Sequence, residues 1–125
     1  MIQDFICDTM GYDLENKFNN SFSCSNWWFQ RILELAKKAG WNPIGTSLEN
    51  NDTWDKQDYE TQSGQLVSKD DSVELFRVLS NLLAVHQSIA GTPIALVKDE
   101  IEMVAAFLKF IKPEGTRNAC SFIIR

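Results

Sequence analysis

Apolar residues recur at helical spacing near residue 30. They follow an i, i+4, i+7, i+8, i+11 pattern whose members are Trp28, Ile32, Leu35, Ala36 and Ala39. Ser25 is suited to cap the first turn, because its hydroxyl can accept a hydrogen bond from a free amide there. Gly40 suits the left-handed position that ends many helices. The pattern therefore predicts a helix over residues 26–39.

A second helical pattern occupies residues 69–90, with Ser68 as its expected N-cap. Its apolar residues form two adjacent stripes, which are Leu75, Val78, Leu82, Val85 and Ile89, and Phe76, Leu79, Leu83 and Ala90. So wide an apolar face is typical of a central helix that is covered from more than one side. We therefore expect Leu79 and Leu83 to be almost fully buried.

The rest of the chain predicts one more helix and little strand. A third helix begins between Pro93 and Asp99 and ends near Lys112. Residues 1–24 suggest a short extended piece and then a loop, and residues 47–63 a long polar loop. The β-forming residues of the tail, 120–124, predict an edge strand. The expected fold is mainly α, with three principal helices around one core and minor strands near the termini, in a single domain over residues 1–125.

The amino-acid composition indicates the class of protein and the cellular compartment in which this fold is expected. The chain has 125 residues, of which 44% are hydrophobic and 23% charged, as in ordinary globular domains. No segment reaches the roughly 20 apolar residues of a membrane span, and the N-terminal residues do not resemble a signal peptide. Cys7, Cys24 and Cys120 are odd in number and widely spaced, so we expect free thiols and a cytoplasmic protein.

The net charge of −5 is unevenly distributed. Residues 1–16 and residues 49–60 each carry −4, whereas the rest of the chain is balanced or basic. Nucleic-acid binding normally requires a face rich in Lys and Arg, so it is not expected. A protein partner with a basic surface is favoured instead.

Residue types that carry catalysis or bind metals do not form a recognisable pattern. His86 is the only histidine, and no hydrolase signature surrounds any of the three cysteines. Short-spaced zinc ligands, a calcium loop, a phosphate-binding loop and a nucleophile elbow are all missing from the sequence. We therefore expect no enzyme, no cofactor and no bound metal, with an enzyme of unrecognised type as a remaining alternative.

Two places in the sequence are candidates for partner binding. The acidic loop combines charges with aromatic residues, an arrangement in which aromatics supply affinity and charges steer association. Its candidate residues are Glu49, Asp52, Trp54, Asp55, Asp58, Tyr59 and Glu60. The alternative is a solvated loop whose aromatics fold back onto the body. Trp27 points away from the apolar face of the first helix, so it is either an exposed anchor or packed under the preceding loop against Phe22.

Two motifs of the chain resemble a recurring pattern in small bacterial proteins of unknown function. The first is Trp28…Leu33-Glu34-Leu35-Ala36…Gly40-Trp41-Asn42-Pro43-Ile44-Gly45-Thr46, and the second is Ser63-Gly64-Gln65…Val67-Ser68…Asp71. The resemblance covers residues 22–125 but departs at the tail, where Ala119-Cys120-Ser121 stands in place of a glycine pair before Phe122. Some proteins of this kind resemble immunity proteins of toxin–antitoxin competition systems. The resemblance implies a shared helical fold and carries no catalytic residue.

These observations favour a small acidic protein-binding protein. An immunity protein or inhibitor that masks a basic target, such as a toxin, fits them best. An adaptor or regulatory subunit of a bacterial assembly is the alternative. The oligomeric state and the identity of the partner do not follow from the sequence.

Overall fold

The computed structural model describes residues 11–18, 20–48, 54–55, 59, 64–88 and 96–125. Its helices are α1 (Asn26–Lys38), α2 (Lys69–Ser88) and α3 (Lys98–Ile111). Its strands are β1 (Gly11–Asn16), β2 (Ser21–Ser25), β3 (Thr46–Leu48), β4 (Trp54–Asp55), β5 (Gln65–Val67) and β6 (Phe122–Ile124). Within these residues, no helix has the length and apolar character needed to cross a membrane.

The six strands form one antiparallel sheet in the order β2-β1-β6-β5-β3-β4. The fold is therefore α+β, and the expectation of a mainly α protein with minor strands near the termini is wrong. Most of these strands have two to three residues. Strands so short are not long enough to show an alternation of apolar and polar residues. Their stability comes from pairing with strands far away in the sequence.

Residues 11–25 form a β-hairpin, where a short extended piece and a loop were expected. Tyr12 and Leu14 are buried, and they alternate with exposed Asp13 and Glu15 as strand geometry requires. Lys17 and Asn20, two polar residues, lie between the two strands. Polar residues of this kind favour a loop, so the sequence pattern does not predict the hairpin.

Asn16 holds this turn in place and joins it to the helical layer. Its Oδ1 accepts hydrogen bonds from the amides of Phe18 and Asn20, at 2.9 and 3.2 Å. Its Nδ2 donates to the carbonyl of Phe110 in α3, at 2.9 Å. A buried amide whose donor and acceptor are both engaged fixes the hairpin relative to α3.

The C-terminal strand β6 lies inside the sheet, although the sequence predicted an edge strand. Leu14 pairs with Ile124 on one side, and Leu66 pairs with Ile123 on the other. Phe122 and Ile124 face the buried side of the sheet, since both are almost fully inaccessible. β6 therefore connects the N-terminal hairpin to β5 and β3.

All three predicted helices are confirmed, with boundaries close to those expected. The Ser25 Oγ accepts from the Trp28 amide at 3.2 Å, and Gly40 has φ of 110° just beyond α1. Ser68 Oγ accepts from the Asp71 amide at 3.2 Å, which places it as the cap of α2. These caps satisfy first-turn amides that lack a partner within the helix.

The core lies between the helices and one face of the sheet. Its largest fully buried side chains are Phe29, Ile32, Leu35, Leu75, Leu79, Met103, Phe107, Ile111, Leu14, Phe122, Ile124 and Val67. Rings from both layers meet there, because Phe107 and Phe110 of α3 contact Phe122 edge-on at 5.9 and 5.7 Å between centroids. Such edge-to-face contacts are favourable beyond the area they bury.

Leu79 is fully buried as expected, but Leu83 is only partly buried. Leu83 lines an open groove of about 540 Å³ between α2 and α3, together with Phe76, Ala105 and Leu108. Phe76 and Leu83 of the second stripe therefore face a groove, whereas Leu79 of the same stripe lies in the core.

Truncation of these two leucines should have unequal effects. Leu79→Ala should lower the free energy of unfolding by roughly 2–5 kcal/mol, because it removes buried methyl groups and leaves a cavity. Leu83→Ala should cost clearly less, since its side chain is already partly in water. Urea denaturation of both variants measures the difference. An equal loss for the two variants would contradict the packing described for α2.

Candidate functional site

The acidic loop predicted as a binding site is only partly described by the structure. Trp54 and Asp55 form β4, and their backbones pair with Ser47 and Thr46 of β3. Four further predicted residues, Glu49, Asp52, Asp58 and Glu60, lie outside the described residues. Trp54 and Asp55, which were expected to lie in a loop, therefore form a strand at one end of the described sheet.

Tyr59 is a core residue and not an exposed anchor, which corrects its assignment to the binding surface. Its side chain is 3% exposed, and its ring packs edge-on against Trp41 at 5.2 Å between centroids. Its hydroxyl donates to Asp71 Oδ2 and accepts from the Gly45 amide at 2.9 Å. Tyr59 therefore folds back onto the body of the protein, which was the alternative to an exposed loop aromatic.

The carboxylate of Asp71 is the centre of this buried network. Asp71 is 0% exposed, and its Oδ1 accepts from the Trp41 Nε1 at 2.8 Å and from the Ile44 amide at 3.4 Å. With the Tyr59 hydroxyl on Oδ2, three donors surround one carboxylate. A buried carboxylate is tolerated when its oxygens are hydrogen-bonded in this way.

This network brings the two sequence motifs together. Trp41, Ile44 and Gly45 belong to the first motif, and Asp71 belongs to the second. A further hydrogen bond, from Gln65 Nε2 to Thr46 Oγ1 at 3.0 Å, also connects them. The residues that carried the resemblance thus form a structural connection between the exit of α1 and the start of α2.

The environment of Tyr59 favours its protonated form. Burial raises the pKa of Tyr59 well above its usual value, and the hydrogen bond to Asp71 raises it further. Its phenol therefore stays protonated and donates to Asp71 at ordinary pH. Asp71 lies in the first turn of α2, where the helix dipole favours a negative charge.

The raised pKa of Tyr59 predicts how stability depends on alkaline pH. The folded state keeps the phenolic proton at pH values where the unfolded chain loses it, so this contribution is complete below about pH 10 and is lost above it. The free energy of unfolding should fall by up to about 1.4 kcal/mol per pH unit above pH 10 because of this one group. Urea denaturation from pH 8 to 11, compared with Tyr59→Phe, isolates the effect. A Tyr59→Phe variant with the same alkaline slope as wild type would show that Tyr59 is not the source.

A second arrangement lies on the outer side of α1, and we call it the Trp27 surface. It comprises Trp27, Gln30, Arg31 and Glu34 of α1, Glu100 of α3, and Val97 at the start of α3. Five of these residues, all except Val97, line an open cleft of about 330 Å³. Trp27 is 61% exposed and Val97 is 62% exposed, and both are large apolar residues in contact with water.

The Trp27 surface is held by an ion-pair cluster. The Arg31 guanidinium donates to Glu100 and to Glu34, and these contacts raise the pKa of Arg31, with the hydrogen bond to Glu100 as the main cause. Glu100 Oε1 also accepts from the Val97 amide at 3.2 Å. Glu100 is mostly buried, so the cluster links α1 to α3 at a defined separation.

Trp27 does not pack under the preceding loop against Phe22. Its ring meets Trp28 edge-on, at 4.7 Å between centroids, while Phe22 packs on Phe107 and Phe110. One side of the indole is therefore supported by Trp28, and much of the ring faces the solvent.

The sequence pattern predicts Trp27 as a candidate, but it does not predict Glu100 and Val97. The contact between Arg31 and Glu100 spans 69 residues, so no local spacing reports it. The only signal in the sequence was the acidic first turn of α3, which is common in helices.

Of the remaining chemical candidates, the structure describes the side chains of Cys24 and Cys120. Cys24 and Cys120 are both buried, and burial raises the pKa of the Cys120 thiol. Cys7 and the side chain of His86 lie outside the described residues. Among the residues that the structure does describe, no three His, Cys, Asp or Glu side chains form a group able to hold a metal ion.

The two buried thiols should be protected in the folded state. Cys24 and Cys120 should react with a water-soluble aromatic disulfide far more slowly in buffer than in urea, because reaction requires an exposed thiolate. Absorbance of the released thiolate measures both rates. Full reaction of two buried thiols within the mixing time in buffer would contradict their burial.

A scan against protein-family models, a search of curated proteins and a search of solved structures each found no match to this chain. The resemblance to small bacterial immunity-like proteins therefore stays a prediction.

Proposed function

We propose that this chain is a small acidic protein-binding protein of the cytoplasm, which covers a basic surface on a target protein as an immunity protein or toxin inhibitor does. The observation that carries the proposal is the Trp27 surface. A tryptophan that is 61% exposed stands beside a cleft of charged and polar side chains. Exposed tryptophans surrounded by polar groups are typical of binding hot spots.

The support beneath Trp27 favours tight binding. Its ring rests on Trp28, and the neighbouring Arg31 is held by Glu34 and Glu100. Little side-chain freedom is lost when such a surface meets a partner, so more of the contact energy appears as affinity. The surrounding polar groups exclude water from the aromatic contact once the partner is bound.

The charge of the protein favours a basic target. The net charge is −5, and the cleft beside Trp27 contains two carboxylates and one guanidinium. Long-range attraction of this kind mainly raises the association rate and selects partners of opposite charge.

Replacement of Trp27 tests the proposal. Tagged wild-type protein and Trp27→Ala are used to capture partners from the native host, and the affinity of the purified partner is then measured by calorimetry. Trp27→Ala should weaken the complex by about 2 kcal/mol or more, which is roughly 30-fold in Kd. Phe18→Ala is the matched control, because Phe18 is an exposed aromatic at the opposite end of β2. Its effect should be small.

The same complex distinguishes an inhibitor from an adaptor. An inhibitor should abolish an activity of the captured partner at one equivalent, and Trp27→Ala should restore that activity. A partner whose activity is unchanged in the complex would favour the adaptor role. Equal affinities for wild type, Trp27→Ala and Phe18→Ala would reject the Trp27 surface as the interface.

A further inference from the structure

Strand β2 has one edge that pairs with β1 and one edge that no described strand covers. The hydrogen-bond pattern of β1 shows which backbone groups lie on the uncovered edge. The amide and carbonyl of Asp13 bond to Arg125, at 3.2 and 2.8 Å, so they point toward β6. Because backbone groups alternate in direction along a strand, those of Tyr12 and Leu14 point toward β2.

The same alternation runs along β2. Cys24 lies opposite Tyr12 and Phe22 lies opposite Leu14, so their backbone groups are the ones that pair with β1. The amides and carbonyls of Ser21 and Ser23, and the amide of Ser25, therefore point away from the sheet. β2 presents a row of backbone donors and acceptors at the spacing of a strand ladder.

The β2 edge lacks the sequence features that usually prevent an edge strand from pairing with another chain. Protected edge strands carry charged side chains, proline or a bulge. β2 reads Ser-Phe-Ser-Cys-Ser, with neither charge nor proline, and its register with β1 is regular over five pairs. An approaching strand meets small serine side chains on the outer face.

We propose that an extended segment of the protein partner adds to the sheet along β2, and that this segment alternates basic residues with apolar ones. The inference rests on the proposed protein-binding function and specifies how the partner is recognised. Backbone hydrogen bonds with Ser21 and Ser23 supply register, and side chains on the two faces of the added strand supply specificity.

The outer face of the hairpin selects basic residues. Asp13 and Glu15 are exposed on this face, beside the serines. Asp13 accepts from the neutral Ser23 Oγ at 2.6 Å, whereas Glu15 is 2.6 Å from the Arg125 guanidinium. A Lys or Arg opposite Ser23 can reach over that small side chain to Asp13. A second copy of this chain would bring the same carboxylates and a charge of −5, so it is the less favoured occupant.

The inner face selects an apolar residue. Phe22 is only partly buried, and its ring packs on Phe107 and Phe110 of α3. An apolar side chain opposite Phe22 would cover the part of this ring that remains accessible. The added strand would also run beside the start of α1, since Trp27 follows Ser25 by two residues. The β2 edge and the Trp27 surface are therefore neighbouring parts of one interface.

A short peptide of alternating lysine and valine, blocked at both ends, is the probe for this site. Titration into the ¹⁵N-labelled protein should shift the amide resonances of Ser21 and Ser23, which mark the outward-pointing groups. Ser23→Pro removes one outward amide without breaking a bond to β1, because proline is tolerated where an edge amide faces solvent. This variant should weaken peptide binding by about tenfold or more.

Matched controls separate backbone pairing from other effects. Ser23→Ala keeps the amide and a small side chain and loses only the hydroxyl, so its affinity should stay within about twofold of wild type. A peptide N-methylated at alternate residues should fail to bind even to the wild-type protein, which tests the ladder if Ser23→Pro does not fold. A peptide with glutamate in place of lysine should also fail, and Asp13→Asn should weaken the lysine peptide by about two- to fivefold.

Several outcomes would overturn the inference. These are no binding of the lysine peptide at millimolar concentration, equal binding of the N-methylated peptide, or a concentration-dependent dimer that Ser23→Pro abolishes. With a captured partner, weakening by Trp27→Ala but not by Ser23→Pro would reject the β2 edge and leave the proposed function standing. Indifference to both changes would reject both surfaces.

Discussion

The buried carboxylate of Asp71 is the constraint on which much of this fold depends. It takes hydrogen bonds from Trp41, which follows α1, from the Ile44 amide, and from the Tyr59 hydroxyl. Two parts of the chain, residues 41–44 and Tyr59, thus meet at the first turn of α2. A carboxylate is costly to bury unless its oxygens are satisfied, so this site admits few alternative arrangements of the chain.

The position of α2 also matters for the Trp27 surface. α1 packs against both α2 and α3, and the contact between Arg31 and Glu100 ties α1 to α3 at the outer face. Trp27 therefore projects from a helix that is fixed at its exit by Trp41 and at its side by Glu100. Because the helix is constrained, little conformational entropy is lost when Trp27 binds a partner.

The sequence predicted the elements that depend on local interactions. The Ser25 cap, the apolar stripe of α1 and Gly40 are all within one stretch, and that helix was found almost residue for residue. β6 was misplaced because three residues, Phe122–Ile124, acquire their role only from partners near residues 14 and 66. Tyr59 was misassigned for the same reason. Its loop is polar, and its burial depends on Asp71 and Gly45, neither of which is adjacent in the sequence.

The central position of β6 also has a consequence for how the chain reaches its native state. The hairpin of residues 11–25 is synthesised first, yet its pairing partner in the sheet, residues 122–124, emerges about a hundred residues later. During translation, β1 must expose an unpaired edge until the tail arrives. Closing so long a loop is entropically costly, so topologies of this kind fold slowly compared with helical proteins of similar size. Until the last residues of the sheet are available, the nascent chain therefore presents an unpaired strand edge, and such edges make partly folded chains prone to aggregation.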